Sequence, residues 1–306
     1  RGDAVVDIGS NDGTLLSFVP YGPSKVGFDP ADVPRVSDFT RVQEFFTADA
    51  LEQMMADYWP DEDRNAKIIF AISCFYDLDD PNAFLQDVKK VLADDGLFVL
   101  QVNYLPDTLK NNTVGDFCHE HLLYFSLKTL DELLMKNGLQ IIDYKFSPIN
   151  GGSVVAYAIK GEGDNWSKMS YPPGEDALSL NWPYMEFYSR VLERADKVGA
   201  FLQGKVWDCV GASTRGATFI QLAKLQGRFT IERDDSKVGK TYLGMPIVSE
   251  ELVSQKENMP DMKLVMIGWF LDEVKAREKA FLDAGGSLVV ALPEPKVITK
   301  AGTRDI

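Results

Sequence analysis

The two histidines of this chain stand one residue apart, in His119-Glu120-His121. Histidine is the side chain whose charge changes nearest neutral pH, which makes this tripeptide the first candidate for proton transfer. His121 is expected to act as a general base, with Glu120 orienting the ring or stabilising its protonated form. His119, Tyr76 or Tyr124 could donate toward an oxyanion. In a regular strand Glu120 would point away from both histidines, so irregular backbone is expected here. Metal chelation is the competing use of His-x-His. The zincin pattern H-E-x-x-H fails at Leu123 and there is no third histidine, so no catalytic metal is expected.

A second constellation is Asp7-Ile8-Gly9-Ser10-Asn11-Asp12-Gly13, between an apolar run and an apolar-periodic segment. A glycine turn there lets a ligand reach bare backbone at the carboxyl edge of a sheet. It is not the dinucleotide fingerprint, which would need glycine at Asn11. Asp7 suits a ligand carrying an ammonium rather than a pyrophosphate. Asp29, one strand later, is placed to accept hydrogen bonds from ribose hydroxyls. The D-x-G-x-x-x-G order followed by that acid resembles class I S-adenosylmethionine (SAM) methyltransferases. The resemblance implies that Asp7 and Gly9 line the methionine part, Asp29 the ribose and Asp49 the adenine edge. Asn11, Gly13 and Ser73 complete the expected cofactor set.

The elements that must position these residues alternate strand and helix. Apolar runs at 4–8, 25–28, 42–46, 67–72 and 97–102 read as strands, and 14–19, 81–92 and 127–137 as helices. Two last strands, 139–146 and 153–160, are joined by so short a link that they must be antiparallel. The pattern predicts an α/β domain with a mostly parallel sheet over residues 1–162. Residues 163–203 read as a linker and helical connection, with 161–173 rich in Gly, Pro and polar residues and 176–202 helical. From 204 to 306 a smaller α/β domain is expected, with strands at 205–210, 264–267 and 287–292 and a helix at 271–284.

In that second domain, Gly211-Ala212-Ser213-Thr214-Arg215-Gly216-Ala217-Thr218 approaches a P-loop, but Ala217 replaces its lysine. What remains is a strand-to-helix turn whose N–H groups, with Ser213 and Arg215, could receive a diphosphate. Asn150-Gly151-Gly152-Ser153 could pass close to a sugar, although as a plain turn it needs no ligand. Trp269 and Phe270 read as core or interface residues rather than a base-stacking platform.

Composition narrows the partners. The 306 residues carry a formal charge of −14, which argues against nucleic acid. No apolar run reaches the ~18–20 residues of a membrane span. Cys74, Cys118 and Cys209 are widely spaced without C-x-x-C, so neither a disulfide framework nor a structural zinc site is expected, and the compartment expected is cytoplasmic. The chain opens on Arg1 rather than Met, so an upstream segment is open.

Further segments carry a more specific resemblance: Cys74-Phe75-Tyr76-Asp77-Leu78-Asp79-Asp80-Pro81, Cys118 to Ser126, Asn150-Gly151-Gly152-Ser153, Gly211 to Thr218, Lys237-Val238-Gly239-Lys240, Pro246-Ile247-Val248-Ser249 and Leu292-Pro293-Glu294-Pro295. In this order they resemble the SAM-dependent C-methyltransferases of nucleotide-activated deoxysugars, from Val5 to the C-terminal region. The resemblance implies methyl transfer to C3 of a nucleoside-diphospho-4-keto sugar, with His121 as base and Tyr76 among the substrate contacts. It places the donor on the first domain, the nucleotide against the second and the chemistry in the cleft between them. Full-length relatives carry an N-terminal zinc-binding module, of which nothing is present here. Relatives of understood mechanism have His at Asp77 and Tyr at Cys118, so the acceptor is open. The rivals are O-methylation of a sugar hydroxyl and a non-catalytic SAM- or nucleotide-sugar-binding protein. Oligomeric state is not legible.

Overall fold

The computed structural model describes residues 4–20, 24–59, 65–161, 169–255, 257–266 and 271–306. Packing divides the chain into two units. The first holds residues 1–105, 121–148 and 152–175; the second holds 106–120, 149–151 and 176–306. The division therefore crosses the chain repeatedly, where composition pointed to contiguous stretches.

The first unit is built on β1 (Ala4–Ile8), β2 (Ser24–Phe28), β3 (Thr40–Val42), β4 (Ala66–Ile72), β5 (Leu92–Asn103), β6 (Leu139–Ser147) and β7 (Ser153–Lys160). Their order in the sheet is β3-β2-β1-β4-β5-β7-β6. Every residue of β1 is buried, which is why it reads as a continuous apolar run rather than an alternating one: it lies mid-sheet with both faces covered. β1 runs parallel to β2 on one side and β4 on the other, so the strand order reverses beside it. Ligands of open α/β sheets bind outside the carboxyl ends at such a switch point. β7 is antiparallel to both β5 and β6.

One face of this sheet carries the main core. Val6, Ile8, Ile69, Ala71, Leu100 and Val102 pack there with Leu85 and Val88 of the helix Pro81–Val91 and Leu127 and Leu130 of the helix Leu127–Lys136. Full burial of each such side chain is worth about 1.5–3 kcal/mol. The first helix starts where Asp80 accepts from the backbone N–H groups of Asn82 and Ala83, with Pro81 at its first position; such a cap contributes about 1 kcal/mol. The second is capped by Ser126 and Thr129 reciprocally. Its first turn is also held by Glu175, whose carboxylate accepts from Leu127 N, Lys128 N and the Tyr104 hydroxyl.

β3 forms at Thr40–Val42 and not at 42–46. The apolar residues that suggested the later span have other uses: Phe46 packs into the core against Phe28, and Phe45 is 77% exposed.

The second unit repeats the doubly wound scheme with β8 (Trp207–Val210), β9 (Thr230–Glu232), β10 (Thr241–Tyr242), β11 (Met245–Ser249), β12 (Met262–Val265), β13 (Ser287–Val290), β14 (Lys296–Thr299) and β15 (Gly302–Asp305). Their order is β10-β11-β9-β8-β12-β13-β14-β15, in which β11, β9, β8, β12 and β13 are parallel. β10, β14 and β15 close the edges antiparallel. The long helix Trp182–Leu202 belongs to this unit. The helix expected at 271–284 is split into Leu271–Arg277 and Lys279–Asp283. Trp269 and Phe270 lie outside the described residues. No described helix is long and apolar enough to cross a membrane.

Candidate active site

In the first unit, the chain leaves β1 at Ile8 and turns through Gly9–Gly13 into the helix Thr14–Ser17. The N–H groups of Gly9 and Ser10 both donate to the carbonyl of Phe28, which ties the turn to the end of β2. Asn11 N donates to Asp29 Oδ2 at 2.8 Å, and Ala31 N donates to Asp29 Oδ1 at 2.8 Å. Asp29 is thus fixed on both oxygens, each keeping a lone pair for a further donor. A Cβ on Gly9 would lie 3.2 Å from Cys74 Cβ, so backbone stands where a side chain would not fit easily. Cys74 follows β4 and points its thiol at the Ile8 carbonyl; burial, then the charge of Asp7, pushes that thiol up to about 12, so it is no nucleophile.

Asp7 is 3% exposed. Burial, and second the charge of Asp29, push its carboxyl up to about 7. Two carboxylates facing one turn from a buried edge leave an excess of negative charge that a ligand bearing an ammonium or a sulfonium would relieve. On this ground the residues fit SAM: Asp7 and the turn could hold its aminoacyl end and Asp29 its ribose. Ser73, with φ of 58°, is half-buried at the end of β4 and donates its N–H to Gln101 O at 3.0 Å. Asp49 is elsewhere employed: it is exposed in the first turn of the helix Ala48–Tyr58 and is hydrogen-bonded to Lys90 at 2.7 Å, which holds its carboxyl below the usual range.

The His119-Glu120-His121 segment is irregular backbone. His121 belongs to the first unit, where its ring lies 4.4 Å from that of Tyr76, centroid to centroid. The N–H groups of Leu122 and Leu123 both donate to the Tyr76 carbonyl, so the chain carrying the imidazole is pinned to the segment that follows β4. His119 and Glu120 are exposed and belong to the second unit. There they line, with Cys118, Phe117, Phe187 and Thr218, a cavity of about 770 Å³.

In the second unit, Ser213 is exposed, and its hydroxyl accepts from Gly216 N at 3.1 Å as the cap of the helix Thr214–Leu222. Arg215 is half-buried with Nε 3.7 Å from Oδ1 of the buried Asp116. Asp116 also accepts from Thr108 Oγ1 at 2.9 Å, yet burial outweighs Arg215, Thr108 and Thr113 and pushes its carboxyl up to about 6. The guanidinium expected to meet a diphosphate is therefore already beside a carboxyl. Asn150 and Gly151 fall in the second unit, where Gly151 O accepts from Asn111 Nδ2. Gly152 and Ser153 fall in the first, where Gly152 O accepts from Tyr104 N and Ser153 is fully buried.

Two groups were missed in the sequence. Glu232 ends β9 as Asp29 follows β2, and accepts from Ala212 N at 3.0 Å, with Lys237 Nζ at 3.4 Å. The rule that singled out Asp29, an acid at the second strand's end, would have found it. Asn103, the last residue of β5, carries no such signal, since it closes an apolar run as any loop residue would.

Residues 1–144 match the methyltransferase domain family, and residues 148–293 match the C-methyltransferase C-terminal domain family. The C-methyltransferase NovU of Streptomyces niveus is 31% identical over 322 residues, an alignment that takes in 99% of this chain and 75% of that protein. The tRNA U34 carboxymethyltransferase of Campylobacter lari is 29% identical over 116 residues, 35% of this chain and 38% of that protein. Among solved structures, the 1,6-didemethyltoxoflavin-N1-methyltransferase of Burkholderia thailandensis, with 1,6-didemethyltoxoflavin and S-adenosylhomocysteine bound, is 19% identical, with a TM-score of 0.40 over 53% of this chain and 72% of that one. With a match over 99% of this chain and both domain families in order, the chain belongs to the SAM-dependent C-methyltransferases.

Proposed function

We propose that this enzyme methylates C3 of a nucleoside-diphosphate-linked 4-keto-deoxysugar, with SAM on the first unit and the nucleotide on the second. The observation that carries the reading is His121: an imidazole held against Tyr76, on backbone pinned next to the end of β4, in a chain matched over 99% of its length by a C-methyltransferase. Transfer to carbon needs a carbon made nucleophilic, and a C–H beside a ketone becomes so when a base takes its proton while the oxygen's growing charge is stabilised.

His121 takes the C3 proton and becomes an imidazolium, and the C–H electron pair moves into a C3–C4 double bond as the C4 oxygen gains charge. Glu120 is the neighbouring carboxylate suited to the imidazolium. SAM, when bound, would supply the electrophilic methyl that C3 takes and would leave as a neutral thioether. The C4 carbonyl then re-forms. The second unit supports the nucleotide side of the reading through its own strand-to-helix turn, Gly211–Gly216, and through Lys237, whose ammonium lies 3.5 Å from the Ala212 carbonyl.

The test is mass spectrometry of the protein with SAM and a panel of nucleoside-diphospho-4-keto-6-deoxysugars. The expected product is heavier by one methylene, with the gain on C3. In heavy water without SAM, C3 hydrogen should exchange with wild type and not with His121→Ala. Methyl transfer to the panel without C3 exchange, or transfer undiminished in His121→Ala, overturns the assignment.

A further inference from the structure

The side chain of Asn103 is the least satisfied polar group at the carboxyl edge of the first sheet. Its Oδ1 and Nδ2 are both buried, and neither has a hydrogen-bond partner among the described residues. A buried carboxamide brings two donors and an acceptor out of water, and native structures pair such groups unless the site is kept for something else.

Its position says what that something is. Along β5, Phe98, Leu100 and Val102 belong to the main core, so Asn103 stands on the opposite face of the sheet. Asp7 stands on that same opposite face, because its neighbours Val6 and Ile8 are the core residues of β1. Only β4 separates the two strands. Asp7 is level with Phe70 of β4, which is level with Val99 of β5. Asn103 thus lies four residues beyond the level of Asp7, or about 13 Å along the strand direction. It also outreaches β4, whose last residue Ile72 is level with Gln101. That is too far up the edge to hold the cofactor's aminoacyl end at Asp7. It is where a molecule lying over the cofactor would present its reacting carbon and the oxygen beside it.

We propose that Asn103 is a catalytic residue that binds the acceptor, donating from Nδ2 to the ketone oxygen on which charge develops and offering Oδ1 to a neighbouring hydroxyl. This rests on the keto-sugar reading above. It gives that reaction the neutral oxyanion donor that the His-Glu-His segment does not supply by itself. A donor fixed before the reaction needs no reorganisation as the charge appears, and losing one such donor costs about 10²–10³-fold in kcat.

The experiment compares wild type, Asn103→Leu and Asn103→Asp with SAM and the keto-sugar that wild type methylates best. Asn103→Leu keeps the volume and removes both polar atoms. It should melt at or above the wild-type temperature, because an unpaired buried amide is gone, and it should bind SAM with wild-type affinity. Its kcat should nevertheless fall about 10²–10³-fold, with a smaller change in KM. Asn103→Asp is isosteric and, when ionised, can accept but not donate. Its activity relative to wild type should recover as pH is lowered and the carboxyl regains a proton, a response that a packing role would not produce. Wild-type kcat in Asn103→Leu, or a lowered melting temperature with kcat intact, overturns the proposal, as does a pH-independent deficit in Asn103→Asp. If wild type itself methylates no keto-sugar, the functional reading fails and takes this assignment with it; if only the variants behave as wild type, the assignment alone fails.

Discussion

The two units use one backbone device and surround it with different charge. In each, a central parallel strand ends in a glycine turn, a helix follows, and an acid at the end of the next strand accepts a hydrogen bond from that turn: Asn11 N to Asp29 in the first unit, Ala212 N to Glu232 in the second. Each central strand also carries a buried aspartate, Asp7 in β1 and Asp208 in β8. Asp208 is answered by Arg228, which donates to its two oxygens at 3.1 and 2.8 Å, and Glu232 is answered by Lys237. Asp7 has Asp29 for its nearest charge influence, which raises it further. The difference teaches that one backbone turn can carry different local charge: the acids beside the first turn stand together, and those beside the second are answered by Arg228 and Lys237.

The comparison breaks most visibly at the turn glycines. Gly13 and Gly211 share a φ of 84°, but a Cβ on Gly13 would fall 2.2 Å from the Phe39 ring, while one on Gly211 meets nothing within 4 Å. Gly211→Ala should therefore cost only left-handed strain, about 1–2 kcal/mol. Gly13→Ala adds overpacking to the same strain and should cost about 4 kcal/mol in denaturant unfolding. Equal losses would mean that the first turn is no more tightly built than the second.

Next comes the strand aspartate. Arg228→Met leaves Asp208 buried without its counter-ion and should cost about 3 kcal/mol, the low end for a broken buried pair. The low end applies because the Arg228 side chain is 31% exposed. The mirror change, Asp7→Asn, should raise stability at neutral pH, because it removes a carboxyl that the fold keeps from ionising freely. Chemical denaturation of both variants checks the pair, and two losses would put Asp7 in the same structural role as Asp208.

Binding separates the units further. Asp29→Ala should weaken SAM roughly 10–100-fold by calorimetry, the value of one or two charge-assisted hydrogen bonds, and Glu232→Ala should leave it unchanged. Loss of SAM binding in Glu232→Ala would end the division of labour drawn here.

Much of the first unit was legible because its strands are buried on both faces and its helices announce their starts. Pro81 after Asp80, and Ser126 with Thr129, are local signals that long-range packing leaves intact. The edge strand β3 was misplaced because Phe45 and Phe46 look alike in sequence, while one meets solvent and the other Phe28. His121 could be picked out because histidine is rare here, and Asp29 because a rule covers it. Asn103 could not, since what marks it is the lack of a partner among the described residues, and partners are a property of the folded neighbourhood. The split of the tripeptide, with His119 and Glu120 in one unit and His121 in the other, is likewise invisible at a spacing of one residue.

A pH titration tests the charge argument at its source. The folded-state carboxyl of Asp7 is raised to about 7, above its unfolded value of about 3.9. Between those values the folded protein binds more protons than the unfolded chain, so this group's contribution to stability falls as pH rises from about 4 to 7 and is level above that. A cationic cofactor favours the ionised form, so SAM binding below pH 7 must expel the proton. Affinity should then fall by up to about tenfold for each unit of pH between about 7 and 5, and Asp7→Asn should flatten the slope at a lower overall affinity. The same titration on Arg228→Met should keep the wild-type slope, since Asp208 serves the other unit. A slope that Asp7→Asn leaves in place would assign the proton to another group, and the contrast between a buried acid facing a second acid and a buried acid paired with an arginine would lose its physical basis.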